Sequence, residues 1–192
     1  MIFTGHDPGK GGAIASIDES KRVLALDDVP LDFHGEVDGI AFAALFHVGS
    51  VVCIEENHSR SHADKQGRRV VPASDYAFGF VSGAAWGICV AKGIAPMMVS
   101  PQTWKRAITM GMPASDTKDA SVRMAKALFP SAQAMLYGSR GGALDGRAEA
   151  LLIAEYARRL WKLSARPRAT SVVSVAPAVQ VVEPRCVHRK AG

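Results

Sequence analysis

The sequence predicts an α/β fold, a mixed five-stranded sheet with helices on both faces. Three observations carry that prediction. The chain opens with short apolar runs separated by turn residues, as in an antiparallel meander. Val51-Val52-Cys53-Ile54 is then a continuous apolar run, the mark of a strand covered on both faces and commonly parallel to its neighbours. From there strands alternate with stretches of helical periodicity, the pattern that packs helices against a sheet.

Ile2 and Phe3 begin the first strand, which ends at Asp7 before the Pro8-Gly9 turn. Ala13 to Ile17 forms the second strand, Asp18-Glu19-Ser20 turns it, and Arg22 to Leu26 returns as the third. Asp27 to Gly35 is a polar loop. Val37 to Val48 carries apolar residues at helical spacing, and Gly49 stops that helix. The fourth strand, from Val51, ends abruptly in Glu55-Glu56. Asn57 to Ala73 lacks periodicity and reads as a long surface loop, a kind that usually has a function or is disordered. Ser74 is a fair N-cap for a helix to about Lys92.

Gly79, Gly83 and Gly87 recur on one face of that helix. Three glycines weaken a helix by roughly 1 kcal/mol each, so close approach of another backbone is expected in compensation. The sheet beneath or a second copy of the helix in a dimer would provide it. Ile94 to Val99 is the fifth strand, and Ser100-Pro101 opens a short helix carrying Trp104 and Lys105. Asp116 or Thr117 caps the next helix, which Pro130 ends. Ser131 to Ala143 reads as Gly-rich loop, and Leu144 to Trp161 as a strongly amphipathic last helix. Three strands, helix, strand, helix, strand and then helices is the RNase H-like order.

The 192 residues suffice for one compact domain with a tail. The expected division is a domain over 1–161 and a flexible basic tail over 162–192. From Lys162 onward six Lys/Arg stand against Glu183 alone, which gives +5, the whole net charge of the chain. The remainder therefore balances to zero. Within it Arg60, Lys65, Arg68 and Arg69 crowd one loop, and a basic loop and tail suit a polyanionic partner. No apolar run reaches the roughly 18–20 residues that span a bilayer, and the N-terminus lacks a signal-peptide pattern. Cys53, Cys89 and Cys186 are too widely spaced for a disulfide framework or zinc knuckle. A reducing cytoplasm is the expected location.

Asp7 is an anion at the end of a hydrophobic strand, costly unless water, hydrogen bonds or a cation meet it. With the first and fourth strands side by side, Glu55 can approach it across the sheet. Asp145 and Glu149, spaced i and i+4, share one face of the last helix. Four converging carboxylates repel one another unless cations sit among them, and hard oxygen ligands favour Mg²⁺ or Mn²⁺. Two such ions about 3.5–4 Å apart suit in-line phosphodiester hydrolysis. Singly the signals are weak, since Asp145 reads equally as an N-cap and Glu149 as a surface charge.

GHDPGKGGAIA at the start, VVCIEE, YAFGFVSGAAWGICVAKG, VSPQTWKRAI, TKDASVRMAKALFPSA and LDGRAEALLIAEYARR follow in order with sensible spacing. In these motifs the chain resembles the RuvC-like Holliday junction resolvases, particularly their phage and chloroplast-type relatives, over residues 1 to about 161. The resemblance implies a homodimeric, Mg²⁺-dependent endonuclease that nicks opposing strands of a four-way DNA junction. Two ions would be held by Asp7, Glu55, Asp145 and Glu149, with Glu55 rather than Glu56 matching the family glutamate. Lys118 would approach the scissile phosphate as a further catalytic group. His58, Arg60, Lys65, Arg68, Arg69 and Lys105 would contact DNA. A bacterial cytoplasm, or that of a phage's host, fits such a protein.

Two departures bear on specificity. The bacterial resolvases space their last two acids three apart as Asp and Asp, whereas Asp145 and Glu149 are four apart. Bacterial enzymes also carry a Phe three residues after the glutamate, where this chain has His58. Alternatives remain: a nuclease for flaps, forks or branched replication intermediates, or a junction-binding protein without catalysis. A P-loop nucleotide site does not fit, because Lys10 is followed by Gly and the glycine spacing is one residue short.

Overall fold

The computed structural model describes residues 1–56, 62–63, 66, 69–70, 73–109 and 119–165. In chain order the elements are β1 (Ile2–Asp7), β2 (Ala13–Asp18), β3 (Val23–Asp28), α1 (Gly39–Ala44) and β4 (Val51–Glu55). Then come β5 (His62–Ala63), β6 (Arg69–Val70), α2 (Ala73–Ala91), β7 (Met97–Val99) and α3 (Pro101–Thr109). The chain continues through α4 (Asp119–Leu128), a 3-10 helix (Pro130–Leu136) and α5 (Asp145–Ser164).

The main sheet has five strands in the order β3-β2-β1-β4-β7, and β5 pairs with β6 apart from it. β1 runs antiparallel to β2 and parallel to β4, which is in turn parallel to β7. This is the RNase H-like α/β arrangement. The alternation of strand side chains divides the core into two layers. Phe3, Ala15, Ile17 and Cys53 face α3, α4 and α5. Ile14, Val52 and Ile54 face the opposite way, against Phe42 and Phe46 near α1 and Val81, Ala85 and Cys89 of α2.

α5 is the helix that the site depends on. Its centre, Ala148 and Ala150 through Ala157, is buried, and it lies along β1 so closely that a side chain at Gly5 has no room. A Cβ on Gly5 would run into the backbone of Ala154 and Ala150. The bare glycine is what seats the helix at this depth. The one buried acid within this stretch, Glu155, is 1% exposed and is met by Arg158 Nε at 2.6 Å and Arg159 Nε at 2.8 Å. Burial pushes its carboxyl upward, but the bonds and charges of Arg158 and Arg159 hold it below the ordinary value.

Several boundaries differ from the sequence reading. α1 is shorter than the Val37–Val48 stretch: it ends at Ala44, and it begins after Asp38, which caps it by accepting from the Ile40 and Ala41 amides at 3.0 Å each. α2 starts at Ala73, so Ser74 lies inside its first turn instead of capping it. β7 begins only at Met97. The stretch read as loop from Ser131 is 3-10 helix as far as Leu136, folded onto the core through buried Ala132 and Leu136. Caps proposed at Asp116 or Thr117 lie outside the described residues, as does residue 166 onward. No helix among the described residues is long and apolar enough to cross a membrane.

The sheet does not compensate the α2 glycines. A Cβ at Gly79, Gly83 or Gly87 would meet nothing within 4 Å among the described residues. The three sit on the outer face, where Tyr76 is 74% and Trp86 50% exposed, with Phe80 and Val90 beside them.

Candidate active site

Strand geometry places the first two carboxylates. Phe3 pairs with Val51 and Gly5 with Cys53 in the parallel register of β1 and β4. Two residues further on, Asp7 and Glu55 therefore leave the sheet side by side, on the face that α5 covers. The same alternation sends Glu56 to the α2 side, where it borders a shallow groove with Gly83, Trp86 and Met98. Glu149 comes from α5, one turn into the helix. Ligand atoms of Asp7, Glu55 and Glu149 all lie within 4.8 Å of one another.

Close backbone contacts bring these elements together. A Cβ on Gly146, in the first turn of α5, would lie 2.7 Å from the Gly11 carbonyl and 3.2 Å from Asp7 Oδ2. A Cβ on Gly12 would strike the Asp7 carbonyl. The bare β1–β2 turn thus lets the helix start approach Asp7. Arg147 secures the same end of α5 through paired bonds to Asp28 at 2.7 and 2.9 Å.

The acids are held from α3 and α4. Trp104 Nε1 donates to Glu55 Oε2 at 2.6 Å, with both side chains buried. Lys105 Nζ lies 2.7 Å from Glu149 Oε1, and Ser121 Oγ donates to that oxygen at 2.8 Å. The Lys105 ammonium also stands 5.1 Å from the centre of the Trp104 ring.

One ammonium does not neutralise this cluster. Burial, then the charges of Glu55 and Glu149, push the Asp7 carboxyl up to about 8, with Lys105 opposing them and Asp145 adding to them. Burial likewise raises Glu55, against the Trp104 hydrogen bond, while Glu149 raises it further and Lys105 lowers it. Such a donor set is short of positive charge, and it consists of hard carboxylate oxygens alone. It fits a divalent cation of the Mg²⁺, Mn²⁺ or Ca²⁺ kind.

Of the four acids expected from the sequence, three converge. Asp145 is exposed at the start of α5, near enough for its charge to act on Asp7 but outside the three-residue cluster. It is not the N-cap, a position that Leu144 takes without a side-chain bond. Lys105, expected to contact DNA, lies within the cluster. His58, Arg60, Lys65, Arg68 and Lys118 are outside the described residues, as is the side chain of Arg69. Sequence reasoning assigns no site role to Trp104 or Ser121.

No family model matches the chain, and no curated protein matches it. Solved structures do. T. thermophilus RuvC in complex with Holliday junction substrate matches with a TM-score of 0.58 at 16% identity, covering 84% of this chain and 94% of that one. A second Thermus thermophilus RuvC structure gives 0.52 at 15% identity, with 84% and 97% covered. At such identities the likeness establishes the shared fold.

Proposed function

We propose that this chain is a metal-dependent endonuclease that resolves four-way DNA junctions by paired symmetric nicks. The observation that carries the reading is the convergence of Asp7, Glu55 and Glu149 within 4.8 Å on an RNase H-like sheet. The fold's likeness to a RuvC captured with a Holliday junction favours that substrate over other branched DNA.

Asp7, Glu55 and Glu149, with Asp145 at the head of the same helix, would hold two divalent cations, Mg²⁺ by preference and Mn²⁺ in its place. Bound there, such ions would supply activation of the attacking water and neutralisation of charge on the leaving 3′ oxygen. The protein's own groups do the rest. Trp104 and Ser121 hold Glu55 and Glu149 in place. Lys105 keeps a cation beside the cluster and would be available to meet a phosphate oxygen. Lys118, ahead of α4, would reach the scissile phosphate and stabilise its developing charge. His58, Arg60, Lys65, Arg68 and Arg69 would track the DNA around the site, fixing its position more than reading its sequence.

Symmetric nicking requires two active sites. The outer face of α2 suits a homodimer interface, with exposed Tyr76, Phe80, Trp86 and Val90 beside a glycine row open to close backbone approach.

The test is cleavage of a synthetic mobile four-way junction in Mg²⁺, beside a linear duplex and a flap, with Asp7→Asn as control. Paired nicks in the junction alone, abolished in the mutant, are expected. Equal cutting of every branched form would make the protein a general debranching nuclease. Tight binding without cutting, in Mg²⁺ or Mn²⁺, would leave a junction-binding protein.

A further inference from the structure

We infer that Trp104 is a positioning residue of the carboxylate site, its indole N–H fixing the plane of Glu55 for cation binding. The inference rests on the reading of the cluster as a cation site. Trp104 is 1% exposed and Glu55 6%, so the 2.6 Å bond between them is closed to water. A buried indole needs an acceptor for its N–H, and a main-chain carbonyl would satisfy it at no electrostatic cost. Here the acceptor is instead an oxygen of a metal-binding acid.

That choice has consequences for the ligand. A carboxylate on a two-carbon stem rotates freely about its last bond, and a charge-assisted hydrogen bond to one oxygen removes that freedom. With Oε2 held, Oε1 and the remaining lone pair of Oε2 have fixed directions. The constraint comes from α3 as a unit. The next residue, Lys105, holds Glu149 at 2.7 Å with its ammonium over the Trp104 ring. Two consecutive side chains of one helix thus grip two of the three clustered acids, one from β4 and one from α5. Partners that orient a metal ligand in this way typically govern metal affinity.

A Trp that merely fills the core would be served equally well by its ring, and the two roles separate in Trp104→Phe. This variant keeps an aromatic ring and removes the donor. Mn²⁺ binding to the full chain without DNA, followed by electron paramagnetic resonance, is the readout. About tenfold weaker binding or worse is expected for Trp104→Phe. Trp161→Phe is the control, since Trp161 packs edge-on against Phe3 at 5.6 Å in the same layer but away from the acids. It should keep wild-type affinity. Wild-type affinity in Trp104→Phe would overturn the inference while leaving the cation site standing. No binding by the wild type, and none by Asp7→Asn, would remove the cation site and the inference together.

Should Trp104→Phe not fold, the indole N–H resonances of the wild type give a second readout. The chain has three tryptophans. The Trp104 resonance, distinguished by loss of the other two in Trp86→Phe and Trp161→Phe, should lie at low field and move on titration with Mg²⁺. An unmoved resonance at saturating Mg²⁺ would overturn the role.

Discussion

Asp7 makes the protein's stability depend on pH in a way its neighbours define. Its carboxyl, raised from 3.8 to about 8, binds a proton more tightly in the folded chain than in the unfolded one. The stability tied to this proton is complete below the unfolded value and is lost as pH rises through about 8. Glu55 is raised too and acts in the same sense. Buried His6 acts oppositely, since its value falls from 6.5 to about 4 and its cost appears only below pH 6.5. Metal-free protein in EDTA should therefore lose about 1–2 kcal/mol between pH 6.5 and 8. Asp7→Asn should lose much less, and Mg²⁺ should protect only the wild type. Thermal melts at the two pH values check this, and parallel profiles for mutant and wild type would sink it. The residues behind this behaviour were unequally legible. The family resemblance picks Glu55 over Glu56, which strand alternation in the structure bears out, and i, i+4 spacing brings Glu149 to the face that Asp145 begins. Trp104 and Ser121 reach their acids across 49 and 28 residues of chain. Their local sequence shows only an apolar helix position and a polar one, so nothing in it names the partner.

Among the elements, α2 and α5 use glycine for opposite purposes, and one substitution in each distinguishes them. At Gly5 a methyl group would enter the backbone of Ala154 and Ala150, where no side chain can yield. Gly5→Ala should lift α5 from β1 and cost about 3 kcal/mol or more, seen as a lower urea midpoint with loss of Glu149 from the site. At Gly83 a methyl group meets nothing within 4 Å among the described residues. Gly83→Ala should stabilise the isolated fold by up to about 1 kcal/mol through helix propensity. The same methyl would obstruct a second helix, so sedimentation should show weaker self-association despite the higher melting temperature. Unchanged association would place a dimer contact elsewhere. The glycine row was visible in the sequence as a face; what fills that face was not, because spacing does not say which neighbour is near. The 3-10 helix at Pro130–Leu136 leaves no sequence pattern for a related reason. It spans seven residues, too few to show a period, and only its burial of Ala132 and Leu136 against the core reveals it.

At the scale of the whole molecule, charge is separated from chemistry. Residues 1–161 sum to zero and the +5 resides beyond them, while Arg60, Lys65, Arg68 and Arg69 concentrate positive charge in one segment of the neutral part. The carboxylate cluster itself repels a polyanion, so the proposed DNA substrate would have to be held by cations outside it. Each phosphate contact releases about one counterion and adds roughly 0.9 to the salt slope for duplex DNA. Replacing Arg68 and Arg69 together by Ala should weaken junction binding and flatten that slope by up to about 2. The loss should be similar for junctions of different sequence, because phosphate contacts position the DNA without reading it. Binding titrations in EDTA over a range of salt isolate the term from catalysis. A slope unchanged from wild type would mean that Arg68 and Arg69 do not touch the backbone, leaving Arg60, Lys65 and the basic residues beyond Trp161 to hold the polyanion.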